Sequence, residues 1–141
     1  MEKKTAERIR EDVSEIIKKG KEVPNRVREK VKERVTAILG KTEATGENIR
    51  KITEGAVKGA VEAAKETGEK LADVAHSAAT GAMEAIRDAG DKTKVFLKDA
   101  KDGAVKGLEH ALETAKESTK EATEKVRAEI KEAIKKIKER F

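Results

Sequence analysis

The sequence predicts an all-α protein built from long amphipathic helices, and three observations carry that prediction. Apolar or small residues recur at steps of three, four and four from Ile49 to Val126, the spacing of one helical face. Charged residues form 43% of the chain and sort around that face by sign. The single proline, Pro24, and several glycines fall where such helices should start or stop. The expected architecture is an elongated helical hairpin or bundle, preceded by two shorter N-terminal helices. Partial disorder in dilute solution is compatible with the same composition.

Each element has its own signal. Ala6, Ile9, Val13, Ile16 and Ile17 line one face of a first helix, about residues 4–19, and Gly20 closes it. Pro24 suits the first turn of a second, about 24–39, which carries Val27, Val31, Val35, Ile38 and Leu39 and stops at Gly40. Residues 1–40 thus read as a helical hairpin folded at Pro24, able to dock on the rest or to pair with another chain. Residues 41–48 read as a linker in which Thr45 or Asn48 can cap the next helix. Residues 49–141 form the repeat region. Gly90 can end one helix and Asp91 cap another, which predicts long helices over about 47–89 and 91–139.

The repeat has a definite period. Steps of three, four and four make eleven residues in three turns, so a stripe stays nearly straight, whereas a heptad pattern would drift left-handed. A longer echo lies over it: Gly55-Ala56-Val57-Lys58-Gly59 returns as Gly103-Ala104-Val105-Lys106-Gly107, an imperfect internal duplication. On a wheel of about 98° per residue, the stripe carries Val57, Val61, Leu71, Val74, Ile86, Phe96, Leu97, Val105, Leu108 and Leu112. These ten are the candidate surface- or partner-binding residues. Lysines flank it, among them Lys65, Lys70, Lys92, Lys98, Lys120 and Lys125, and acids face away. On a lipid surface the stripe would enter the acyl region while lysine stems reach the phosphates. Exposed helices supported by Lys–Glu pairs would show the same composition.

The stretch Ala60-Val61-Glu62-Ala63-Ala64-Lys65-Glu66-Thr67-Gly68-Glu69-Lys70 resembles the eleven-residue repeat of group 3 late embryogenesis abundant proteins, and Glu113–Ala122 is a looser copy. Apolipoproteins, perilipins and synucleins carry similar repeats. The resemblance covers roughly residues 49–128. It implies a stress-protective protein that guards membranes and client proteins during drying or freezing and gains helix on dehydration or lipid. The regular Val, Leu and Ile of this chain depart from the family and argue against full disorder.

Composition also sets limits. Leu, Ile, Val and Phe number 28 in 141 residues, near the lower edge of what folds unaided, and alanine adds little buried area per residue. A thick core is therefore not expected; two-helix contacts or an open stripe are. The Gly55/Gly59 and Gly103/Gly107 pairs fall on the basic flank and polar side, so close helix packing is not expected there either. Without cysteine there is no disulfide or zinc–thiolate site, and no cofactor or metal is expected. Asp73 and His76 at i,i+3 lack the second copy a di-metal bundle needs; His76 and His110 read as exposed. Ser14, Ser77 and Ser118 lack a base, so no enzyme is expected. Interleaved acids and the absence of Trp and Tyr argue against specific nucleic-acid binding. No apolar run or h-region is present, which points to a cytoplasmic protein. The expected partners are an anionic membrane surface or client proteins, with a homo-oligomer open. The alternatives are a structural bundle or oligomer with its stripe buried, and an apolipoprotein- or phasin-like coat of lipid or storage granules.

Overall fold

The computed structural model describes residues 2–67, 70–90, 95–115 and 120–141, and it is all-α. The described helices are α1 (Glu2–Lys19), α2 (Val23–Leu39), α3 (Gly46–Thr67), α4 (Leu71–Asp88), α5 (Leu97–Ala115) and α6 (Lys120–Arg140). Their ends follow local chemistry. Gly20 takes φ 69° and Glu22 φ 47°, which turns the chain before Pro24 opens α2. Thr45 Oγ1 accepts the Asn48 N–H at 3.1 Å and so caps α3. Gly90, at φ 118°, follows the end of α4; Asp91, the expected cap beyond it, lies outside the described residues.

The helices form three hairpins stacked side by side, so that α1, α3 and α5 make one layer and α2, α4 and α6 the other. Stacked helices run parallel. Arg10 of α1 reaches Glu66 of α3, while Ala6 lies against Gly59. Arg28 and Lys32 of α2 pair with Glu84 and Asp88 of α4. In the third hairpin α5 and α6 are antiparallel, because Lys101 near the start of α5 donates to the Lys138 carbonyl near the end of α6 at 3.3 Å.

The expectation of two long helices is corrected here. The stretch 47–89 is two helices, broken at Lys70, whose ψ of 103° is extended; the stretch 91–139 gives way to α5 and α6. Folding back covers the stripe from both sides, whereas a continuous helix leaves it in water. Of the options open to residues 1–40, docking on the rest of the chain is the one adopted. Helices α1 and α2 meet through Arg34, which grips Asp12 with two hydrogen bonds of 2.9 and 3.1 Å, while their apolar faces pack on α3 and α4.

The core is also fuller than composition suggests. Thirty apolar residues are buried among the described ones, and half of them are alanine. Small side chains bring helix axes close, so dispersion contacts replace bulk. Four glycines take this further. A Cβ on Gly59, Gly81 or Gly103 would stand 2.3–2.4 Å from the carbonyl oxygen of Ala6, Arg28 or Arg50, and one on Gly107 would strike Val57. The first three each follow the residue they touch by fifty-three positions (6 and 59, 28 and 81, 50 and 103). The stack therefore has one repeating contact, used on both layers. The expectation that Gly59, Gly103 and Gly107 avoid close packing is overturned: the flank they occupy is the stacking edge.

The middle of the stack differs from its ends as a short repeat array requires. Helix α4 buries eleven of its eighteen residues. By contrast, α1 buries Thr5, Ile9 and Val13, and α6 buries Ile130, Ala133 and Ile137 among residues whose side chains are described. The outer helices thus carry a narrow apolar line and a wide charged face, and they cap the array.

Candidate interaction surface

The stripe residues singled out in the sequence lie inside the stack. Val57, Val61, Val74, Ile86 and Leu108 are fully buried, while Leu71, Phe96, Leu97 and Leu112 are half-buried against the same core. Val105 is half-buried at the α5 surface. In this folded state the stripe is the surface on which hairpins pack, and among the described residues no continuous apolar face is open. Lys65, Lys70, Lys98 and Lys125 are exposed. Lys92 and the Lys120 side chain lie outside what the structure describes. Among the described residues Val95 is the exposed large apolar side chain, at 75%. It borders an open cleft of about 820 Å³ with Leu39, Ala44, Ala89 and Phe96.

What the surface offers instead is charge bridging one hairpin to the next. Arg10–Glu66 and Lys32–Asp88 each join neighbouring hairpins, at 3.8 and 2.9 Å, and a His110–Glu62 polar contact of 3.3 Å does the same. The densest node is Glu84 of α4. Its side chain is 13% exposed, and its carboxylate has Arg28 of α2 at 3.9 Å, Arg87 of its own helix at 3.8 Å and Arg140 of α6 at 3.7 Å. One acid thereby meets a guanidinium from each of the three hairpins. None of the three is within hydrogen-bonding distance, and Glu84 Oε1 has no hydrogen-bond partner. One turn on, Asp88 accepts from Lys32 at 2.9 Å and Arg87 Nε at 3.0 Å. Those bonds, Lys32 first and Arg87 second, hold the Asp88 carboxyl below its ordinary range. The Phe141 ring lies under both Arg140, at 5.0 Å, and Arg87, at 5.6 Å. Four cations thus share two acids at one end of the α2/α4/α6 layer.

The histidines are not the exposed side chains expected from the wheel. His110 is half-buried with Nε2 3.3 Å from Glu62. His76 is half-buried between α4 and α6, beside Ala72, Asp73, Glu129, Glu132, Ala133 and Lys136. Burial pushes its pKa below the ordinary histidine value. Lys136 and Arg140 push it the same way, and Asp73 opposes them. The wheel placed both residues correctly around their own helices, but it is blind to a second helix laid over that face.

Among the described residues no group of three or more His, Asp or Glu is arranged to hold a metal, and no helix is long and apolar enough to cross a membrane. The Glu84 node escaped the sequence reading because its members come from positions 28, 84, 87 and 140. Its one legible sign is the run Arg26, Arg28, Lys30, Lys32 and Arg34, an excess of base on α2. No family model matches the chain, and no curated protein or solved structure matches it either.

Proposed function

We propose that the protein is a reversible surface binder of the stress-protective kind: a closed hairpin stack that opens on an anionic membrane and lays its stripe on the lipid. One observation carries this reading. The eleven-residue phase runs from Ile49 to Val126 without a slip, although the chain leaves the helix between α3 and α4 and again between α4 and α5. A folded stack has no use for phase continuity across a turn, since each helix sets its own face. A continuous helix on a surface needs it. Two further features suit opening. The buried faces are rich in alanine, whose burial stabilises less than that of larger side chains, and the Arg10–Glu66 and Lys32–Asp88 bridges between hairpins are exposed pairs of small individual worth. Protection of membranes during drying is what the repeat's resemblance adds.

A second reading, a permanent structural stack, draws support from the close glycine contacts, which need a defined fit. Spin labels at exposed Glu29 of α2 and Lys135 of α6 separate the two. In the stack these helices flank α4, so label separation should lie near 20 Å, two interaxial distances. On vesicles of phosphatidylcholine mixed with phosphatidylglycerol, opening should lengthen it well beyond that range. An unchanged separation on protein shown to be vesicle-bound sinks the opening reading, and absence of binding sinks the surface function.

A further inference from the structure

We propose that Arg28, Arg87 and Arg140 form the docking site for lipid phosphates, and that exchanging Glu84 for phosphate releases the hairpins from one another. The inference rests on the surface-binding reading and gives it a first contact and a trigger. Three observations carry it. These guanidiniums come from three separate hairpins, so whatever takes hold of them acts on the whole stack. They are 42%, 40% and 49% exposed while the acid between them is largely buried, so an approaching anion meets cations first. And the pairing with Glu84 is poor, with contacts of 3.7–3.9 Å and a carboxylate oxygen lacking a hydrogen bond, so that among the described residues only Arg87 of the three arginines has a close acid, Asp88 at 3.0 Å. A phosphate presents several strong acceptor oxygens to guanidinium forks at 2.7–2.9 Å, which the buried carboxylate does not achieve here. Lys32 and the Phe141 ring stand beside the site and suit a headgroup interface.

Exchange has a mechanical consequence. With Arg28 and Arg140 turned outward to phosphates, the shared carboxylate no longer ties α2 and α6 to α4. Glu84 is then left partly buried without a cation from either neighbour, which favours separation of the helices around it. The membrane thus supplies both the attraction and the release.

The test compares vesicle binding of three triple variants with wild type. One is R28Q/R87Q/R140Q, and the second replaces the same arginines with lysine. The third is K4Q/R8Q/K18Q, which removes equal charge from the exposed face of α1. Each arginine near an anionic surface contributes about five-fold, so R28Q/R87Q/R140Q should bind phosphatidylglycerol-containing vesicles roughly a hundredfold more weakly. The lysine variant should fall between it and wild type, and the α1 variant should lose less. E84Q should bind several-fold more tightly and open, by the label separation above, at a lower anionic lipid fraction. Inorganic phosphate at matched ionic strength should neither open the stack nor compete strongly. Equal losses in R28Q/R87Q/R140Q and K4Q/R8Q/K18Q, or an E84Q variant no easier to open, overturn the docking site while leaving surface binding intact. Wild-type protein that ignores anionic vesicles overturns both. A melting curve for each variant in buffer verifies that the stack has formed, and E84Q keeps the trigger testable if an arginine variant unfolds.

Discussion

A methyl group added to Gly59 would fall 2.3 Å from the Ala6 carbonyl oxygen, and backbone cannot step aside as a flexible side chain can. Helix propensity favours Gly59→Ala by about 1 kcal/mol, but overpacking of this kind costs about 1–3 kcal/mol. The contact should prevail, and Gly59→Ala and Gly103→Ala should each lower stability in urea titrations. Gly40 provides the contrast. It sits at φ −64°, and its added Cβ would meet the Ala37 carbonyl at an ordinary 3.5 Å. Gly40→Ala should therefore be neutral or stabilising by about 0.4–1 kcal/mol. If all three behave alike, the glycines are tolerated rather than used. His76 gives a second residue-scale test. Its folded pKa lies below the unfolded value, so the unfolded chain binds the proton more readily. The stability contributed by neutral His76 is full above about pH 6.5 and is lost as pH falls through the folded value. Melting temperature should drop between pH 7.5 and 5.5, and His76→Asn should flatten that drop. The effect should centre on the α4–α6 contact, where Asp73, Glu129, Glu132 and Lys136 line the cleft around the ring and Arg140 adds its charge.

Helices differ in how firmly the stack holds them. α3 and α4 are covered by neighbours on both sides, whereas α1 and α6 each have an open flank. Native-state hydrogen exchange should find the slowest amides in α3 and α4 and earlier opening in α6. Ile137→Ala, which empties one of the few buried positions of α6, should cost about 2–4 kcal/mol and speed exchange in α6 before α3. Uniform acceleration across all helices would mean that the hairpins do not open independently. The same element scale shows what could be read in advance. α1 and α2 were legible because Gly20, Pro24 and Gly40 punctuate two clear apolar faces, and the end of α4 because Gly90 stands alone at the close of a run. The break at Lys70 was not legible, since Leu71 keeps the phase of the stripe before it. Partner choice escaped as well: Ile9 and Val13 fit α2 or α3 equally by pattern, and the backbone contact at Gly59 decides for α3. The recurrence of Gly59, Gly81 and Gly103 in one slot of the repeat was the available sign of stacking. Its placement among lysines pointed away from it. The stripe itself was found, but periodicity marks an apolar face without telling whether a helix, a lipid or water meets it.

For the whole molecule, the closed stack and the open helix ask different things of the same sequence. The stack needs each helix to present its own face, and it is indifferent to the length of the connection between α4 and α5. The open helix needs that connection to keep the stripe in register. Two residues inserted after Gly90, which is exposed and has open space around it, should leave melting in buffer nearly unchanged, because lengthening a loop costs little. In a continuous helix the same insertion rotates everything after it by about half a turn, so Leu97, Leu108 and Leu112 would face water when Val57 and Val61 face lipid. Binding to anionic vesicles should weaken at least several-fold. Inserting eleven residues that copy one repeat restores the phase and should restore binding. That contrast is independent of the direct route through the stripe, Val61, Ile86 and Leu108 each changed to Asp. All three are fully buried, so those changes would unfold the stack and abolish lipid binding together. If the two-residue insertion binds vesicles as well as wild type does, binding needs no continuous stripe, and the observation that carries the opening reading falls.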